Sequence, residues 1–239
     1  MVMSEHTAKA FDVDLQEISR LVAEMGGLAE KQVADCVDAL VLRDSDRAQR
    51  AVTADPSVDA LQREIEEKAV LTIARRQPMA VDLREIIGAL RVCNDLERIG
   101  DLAKNIGKRV MALDGEFHPP KLIRGVEHMG ALVVAQLKEV LDSYAGHDLK
   151  KAMAVWNGDE EVDAMCTSLF RELLTYMMED PRNITFCIHL MFCAKNIERM
   201  GDHATNIAET VYYMIEGHAI ADERPKGDTT TFATLAAEK

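Results

Sequence analysis

Apolar residues return every three or four positions through most of the chain, the period of a helix that buries one face. Between residues 80 and 113 one stripe runs Ile99, Ala103, Ile106, Val110, Leu113. The same period predicts helices near 12–43, 46–76 and 80–113, then near 120–145, 148–179 and 182–216. Asp14 with Glu17, and Asp82 with Glu85, have the spacing of capping boxes. Pro181 after Asp180 suits a helix N-terminus, where a missing N–H is not needed. The stretch GEFHPP at 115–120 breaks the pattern, and from Ala219 onward the periodicity is lost. Long helices with short joints predict an all-α protein built of antiparallel bundles. The expected units are 1–115, 116–218 and a frayed tail, 219–239.

The two halves repeat each other. LERIGD at 96–101 returns as IERMGD at 197–202. Glu198 follows Glu97 by 101 residues, and the same offset relates Asp101 to Asp202, Ala103 to Ala204 and Asn105 to Asn206. Upstream, an offset of 104 relates Asp55 to Asp159, Val58 to Val162 and Asp59 to Asp163. The expected fold is therefore two pseudo-symmetric three-helix bundles from an internal duplication.

Heptad steps place the repeated acids on an inward stripe. Leu83 and Leu90 lead to Glu97, and Ile87 and Asn94 lead to Asp101. Ile184 and Met191 lead to Glu198, and Ile188 and Lys195 lead to Asp202. Carboxylates four residues apart on a helix sit about 5–6 Å from each other. At an effective dielectric of about 20 their repulsion is roughly 3 kcal/mol. Protonation, a basic neighbour or a bound cation would remove it; Arg98 and Arg199, one position on, point about 100° around the helix. Gly100 and Gly201 inside the helices each cost about 1 kcal/mol relative to Ala, which suggests close approach of another helix or room for an ion. Glu97, Asp101, Glu198 and Asp202 are the candidate metal ligands, with Asp59 and Asp163 as additional candidates. Asp55 and Asp159 fit helix-dipole complementation as well as ligation. Oxygen donors of this kind suit hard cations such as Mg, Mn, Ca or Fe. His203 follows Asp202, but Leu102 stands at its counterpart, so His203 is read as peripheral.

Charge and composition narrow the function. The formal net charge is −13, which argues against a nucleic-acid partner and allows cations or a basic protein surface. Five cysteines without a C-x-x-C pair fit small buried apolar residues in a reducing compartment. No stretch approaches the roughly 20 apolar residues of a membrane span, so a cytoplasmic protein is expected.

ARRQPMAVDLREIIGALRVCNDLERIGDLAKNI (74–106) and EDPRNITFCIHLMFCAKNIERMGDHATNIAE (179–209) resemble the two signatures of the PhoU phosphate-regulon accessory proteins. The resemblance spans nearly the whole chain apart from the tail. It implies two three-helix bundles, a homodimer, and multinuclear metal clusters (Fe, Mn, Mg or Zn) on Glu97 and Asp101 in one half and Glu198 and Asp202 in the other. It also implies a non-enzymatic regulator that links the ATPase subunit of the phosphate ABC transporter to a membrane histidine kinase and holds the phosphate regulon off when phosphate is plentiful. The alternative is a carboxylate-metal phosphohydrolase. A ferritin-like oxidase would need E-x-x-H, which the sequence lacks.

Overall fold

A computed structural model describes residues 2–113, 120–222 and 224. Among these residues the chain forms seven α-helices: α1 (Val2–Leu42), α2 (Ser45–Arg76), α3 (Val81–Ala112), α4 (Pro120–Gly146), α5 (Leu149–Asn157), α6 (Asp159–Glu179) and α7 (Ile184–Glu216), with one 3₁₀ turn at Pro181–Asn183. No strand occurs among them. Helices α1, α2 and α3 pack as one bundle; α4, the α5–α6 pair and α7 pack as the other. The bundles meet along α3 and α7, and again where α1 crosses α4.

The duplication is visible in the joints. Arg43 and His147 stand at equivalent positions, and both take positive φ, 59° and 49°, at the end of a first helix. Each is followed by an aspartate that caps the next helix. Asp44 Oδ1 accepts from Arg47 N at 2.8 Å, and Asp148 Oδ1 accepts from Lys150 N and Lys151 N at 3.0 and 3.2 Å. An aspartate at the N-cap satisfies amides that the helix itself leaves unpaired.

Several local expectations are corrected. Helix α1 begins at Val2 rather than near residue 12, because nothing before Asp14 breaks a helix. Asp14 is therefore mid-helix and pairs with Arg76 at 2.9 Å, while Glu17 pairs with Arg20. Asp82 is not a cap either: Ala80 holds the N-cap position of α3 without a side-chain bond, and Glu85 reaches His147 at 3.1 Å. The middle helix of the second half is split at Gly158 into α5 and α6. In the first half Pro56 stands at nearly the same register, inside a helix that continues. Asp180 and Pro181 do start a helical turn, with Asp180 Oδ1 accepting from Arg182 N at 3.0 Å. The break at 114–119 and the tail at 223 and 225–239 lie outside the described residues.

The buried face of α3 is Ile86, Val92, Cys93, Leu96, Ile99, Ala103, Ile106 and Val110. That includes most of the stripe from Ile99 to Leu113. The heptad rows leading to the acids lie at the margin of this face: Leu83 and Ile188 are exposed, and Leu90 and Met191 are half-buried. Glu97, Asp101 and Asp202 thus sit where the bundle wall meets solvent, while Glu198 is buried.

Gly107 of α3 lies against α2; an added Cβ would stand 2.8 Å from Val52 Cγ2 and 3.3 Å from the Ala48 carbonyl. Gly27 is exposed within α1 and faces open space. Gly107→Leu is expected to lower stability by about 1–3 kcal/mol through overpacking. Gly27→Ala is expected to raise it by about 0.5–1 kcal/mol through chain entropy and helix propensity. Urea denaturation followed by circular dichroism reads both.

Candidate functional site

In the first bundle α2 supplies Asp55 and Asp59, and α3 supplies Glu97 and Asp101. Asp55 is buried. Its Oδ1 accepts from Gln32 Nε2 on α1 at 3.2 Å. Lys104, one turn along α3, donates from Nζ to Asp101 Oδ1 at 2.6 Å and to Asp55 Oδ2. Two carboxylates from two helices therefore converge on one ammonium. Gly100 makes the crossing close: a Cβ there would stand 3.2 Å from Gln32 Oε1 and 3.7 Å from Asp55 Oδ1.

Glu97 flanks this pair. Burial raises its carboxyl above the ordinary glutamate value; Arg98 opposes the shift, and the charges of Asp101, Asp59 and Asp55 add to it. Arg98 is exposed yet reaches back to Glu97 Oε2 at 3.4 Å and Asp101 Oδ2 at 4.0 Å. The expectation that it points away is corrected, because a long side chain can cover the angle between adjacent helix positions.

The second bundle repeats the plan with one change. Asp159 is 2% exposed at the start of α6. Its Oδ1 accepts from Thr205 Oγ1 at 3.2 Å. Thr205 is the counterpart of Lys104 and brings no charge. The cation comes instead from Arg224, beyond α7. Arg224 donates from Nε and Nη2 to Asp159 Oδ2 at 3.0 and 2.7 Å, and from Nη2 to Asp202 Oδ1 at 2.7 Å. A Cβ on Gly201 would stand 3.5 Å from Gln136 Oε1 and 3.7 Å from Asp159 Oδ1, matching Gly100 against Gln32 and Asp55.

Glu198 and Asp163 lie beside this pair, both buried, on the wall of an open cavity of about 480 Å³ between α6 and α7. Glu198 Oε1 accepts from Lys195 Nζ at 2.6 Å, while Glu198 Oε2 is buried without a hydrogen-bond partner. Burial is the main cause that raises the Glu198 carboxyl; Lys195 opposes it, and Asp202 and Asp163 add to it.

Among the acids singled out from sequence, Asp101 and Asp202 each share a cation with a buried aspartate of the neighbouring helix. Glu97 and Asp59 lie within electrostatic reach of the first pair, and Glu198 and Asp163 border the second. Asp55 and Asp159, given equally to the helix dipole, stand at the centre of each cluster. His203 turns away from the acids to Asp95 Oδ1 at 2.8 Å, joined there by Asn206 Nδ2 at 3.4 Å. Lys104, Arg224, Gln32 and Gln136 were missed. The glutamines were findable, since Gln136 follows Gln32 by the same 104 residues as the aspartates. Lys104 carried the spacing signal of an ion pair with Asp101. Arg224 has no counterpart in the repeat.

Comparison with known proteins supplies the family. A model described as the PhoU domain matches residues 22–110 and 126–211, one copy per bundle. The chain belongs to the PhoU family. It is 59% identical over 226 residues to the "Phosphate-specific transport system accessory protein PhoU homolog" of Rhizobium meliloti, covering 95% of each chain. It is 52% identical to the homolog of Caulobacter vibrioides, covering 95% of this chain and 98% of that one. The crystal structure of PhoU from Pseudomonas aeruginosa superposes with a TM-score of 0.82 at 40% identity, over 87% of this chain and all of that one. The phosphate transport system regulatory protein PhoU from Streptococcus pneumoniae superposes at 0.81 with 26% identity, over 89% of this chain and all of that one.

Each PhoU domain of the chain carries one complete acid cluster within its matched residues. The donors fit the metal ions implied by the resemblance in kind: they are all oxygens, carboxylates of two helices already gather on one positive charge, and Glu198 Oε2 is a buried acceptor with nothing bonded to it. Among the described residues no three His, Cys, Asp or Glu side chains stand assembled as a ready ligand set. In each cluster a basic side chain, Lys104 or Arg224, supplies the positive charge between the aspartates.

The raised Glu198 carboxyl sets a pH dependence. A carboxyl that binds its proton more tightly when folded favours the folded state below the ordinary value of 4.5 and loses that contribution as pH rises through the folded value. In metal-free protein, Glu198→Gln is expected to raise the urea midpoint at pH 7. The advantage should shrink toward zero as pH falls below about 4.5. Paired denaturation curves at pH 7 and pH 4 read the effect.

Proposed function

We propose that this chain is a metal-dependent, non-enzymatic regulator of phosphate homeostasis. In this reading it serves as the accessory protein of a phosphate ABC transporter, couples that transporter's ATPase subunit to a membrane histidine kinase, and restrains uptake and the phosphate regulon when phosphate is plentiful. The observation that carries it is the repeated acid cluster: two carboxylates from two helices, drawn onto a single positive charge, at the same register in both PhoU domains. The naming of its close relatives as phosphate-specific transport accessory proteins supplies the biological setting.

The chemistry of the surface supports a protein partner. Phe170 and Leu174 of α6, with Ile184, Ile188 and Phe192 of α7, expose between 39 and 49% of their surface beside the second cluster. Large apolar groups gathered beside a cavity are a usual feature of docking faces. Phe192 is itself held by the Arg109 guanidinium, 4.0 Å from its ring centre. The acidic net charge complements a basic partner surface. No helix among the described residues is long and apolar enough to cross a membrane. The reading places the protein in the cytoplasm, as a homodimer, reaching the membrane through its partners.

When bound, a metal ion such as Fe, Mn, Mg or Zn would supply positive charge at fixed points on both bundles. Glu97, Asp101, Asp55 and Asp59 would hold it in the first domain, and Glu198, Asp202, Asp159 and Asp163 in the second. The test is metal content by elemental mass spectrometry on protein purified without chelator. Wild type is expected to carry metal, and Glu97→Ala/Asp101→Ala and Glu198→Ala/Asp202→Ala each to lose about half of it. Wild type that stays metal-free after loading with Fe, Mn, Zn and Mg would sink the metal part of the reading. Turnover of a generic phosphate ester that disappears in Asp101→Ala and Asp202→Ala would replace the regulator with a phosphohydrolase.

A further inference from the structure

The two acid clusters have the same carboxylates and different counter-charges. In the first, Lys104 belongs to α3 itself, so the helix that presents Asp101 also presents its cation. In the second, the equivalent position is Thr205, and the helix brings none. Arg224 fills the vacancy from 22 residues beyond Asp202. It lies outside both segments that match the PhoU domain.

The route to Arg224 is lightly held. Helix α7 ends at Gly217, whose φ of 80° turns the chain back through a conformation that side chains disfavour. His218, Ala219, Ala221 and Asp222 are exposed, and Ile220 is only partly buried. Arg224, by contrast, keeps 15% of its side chain exposed against an aspartate that keeps 3%. Its grip on Asp159 and Asp202 ties this segment to the bundle, alongside Ile220 against the core and His218 against the Tyr212 ring, 5.7 Å between centres. One turn before Asp202 on α7, Glu198 Oε2 is buried without a hydrogen-bond partner, an acceptor left open for one more positive group.

We propose that Arg224 is a removable internal cation. It neutralises Asp159 and Asp202 while the second cluster is metal-free, and it leaves when a divalent cation takes those carboxylates together with Glu198. In the first cluster Lys104 can swing its ammonium aside but stays on α3, so a metal there would release no chain segment. Occupancy of the second cluster is thereby coupled to release of the segment after α7, giving one domain a signal the other lacks. This rests on the metal-binding reading above.

The experiment uses full-length protein stripped of metal, carrying Glu97→Ala/Asp101→Ala so that only the second cluster is read. Mn²⁺ is the probe, followed by calorimetry and by hydrogen exchange of residues 217–224. With Arg224 present, Mn²⁺ is expected to bind and to speed exchange in that segment. Arg224→Gln is expected to bind Mn²⁺ roughly 10- to 100-fold tighter, the equilibrium equivalent of one charge-assisted hydrogen-bonded contact removed from competition. The segment should then exchange fast with or without metal. Arg224→Lys, which keeps the charge, should resemble the parent. Mn²⁺ binding with equal affinity in all three proteins, and no change in exchange, would overturn the switch while leaving the metal site standing. Absence of Mn²⁺ binding even in Arg224→Gln would overturn both.

Discussion

Each bundle is organised around negative charge that helix packing forces together. Asp55 and Asp159 are nearly removed from water, yet each faces a second aspartate from the neighbouring long helix. Burying one carboxylate without a partner is costly, and burying it beside another is worse. A single positive group must therefore sit between them, and the surrounding structure follows from that need. The glycines at 100 and 201 let the crossing helices approach. Gln32 and Gln136 reach in from the remaining long helix of each bundle. The acids four residues back, Glu97 and Glu198, sit at the edge of the same field with carboxyls that resist ionising.

This constraint explains an asymmetry within a duplicated fold. The same backbone plan, joints and carboxylates recur at offsets of 104 and 101 residues, but three positions after the second aspartate one half has lysine and the other threonine. A cluster without a built-in ammonium must take its charge from elsewhere. Here Arg224, beyond α7, provides it. The duplicated domains are thus alike in shape and different in how firmly their positive charge is attached, a difference that a regulatory protein can use.

Much of this was legible in the sequence. The 3.6-residue period gave the helices because their buried faces are long and interrupted at few points. The repeat gave the acids because duplication marks residues that chance would scatter. What periodicity failed to give has physical causes. The heptad rows through Glu97 and Asp101 run along the margin of the buried face, so an inward stripe and a rim position look alike in one dimension. Asp14 and Asp82 carry the spacing of caps, yet a cap needs the preceding backbone to leave the helix, and before Asp14 nothing makes it do so. The split at Gly158 lacked a proline to announce it. Arg224 was invisible because a contact between a residue after α7 and an aspartate 65 positions earlier leaves no periodic trace.

The most direct test of a cation-centred architecture is anomalous diffraction from crystals of the full-length protein grown with Mn²⁺ or iron. Two sets of anomalous peaks are expected, one per bundle, within about 2.0–2.6 Å of carboxylate oxygens. One set should lie against Asp101 and Asp55, the other against Asp202 and Asp159 with the Arg224 side chain withdrawn. Crystals soaked to saturation that show no anomalous density, with Lys104 and Arg224 still bridging their aspartates, would contradict it. The clusters would then be internal ion pairs that hold helices together and nothing more.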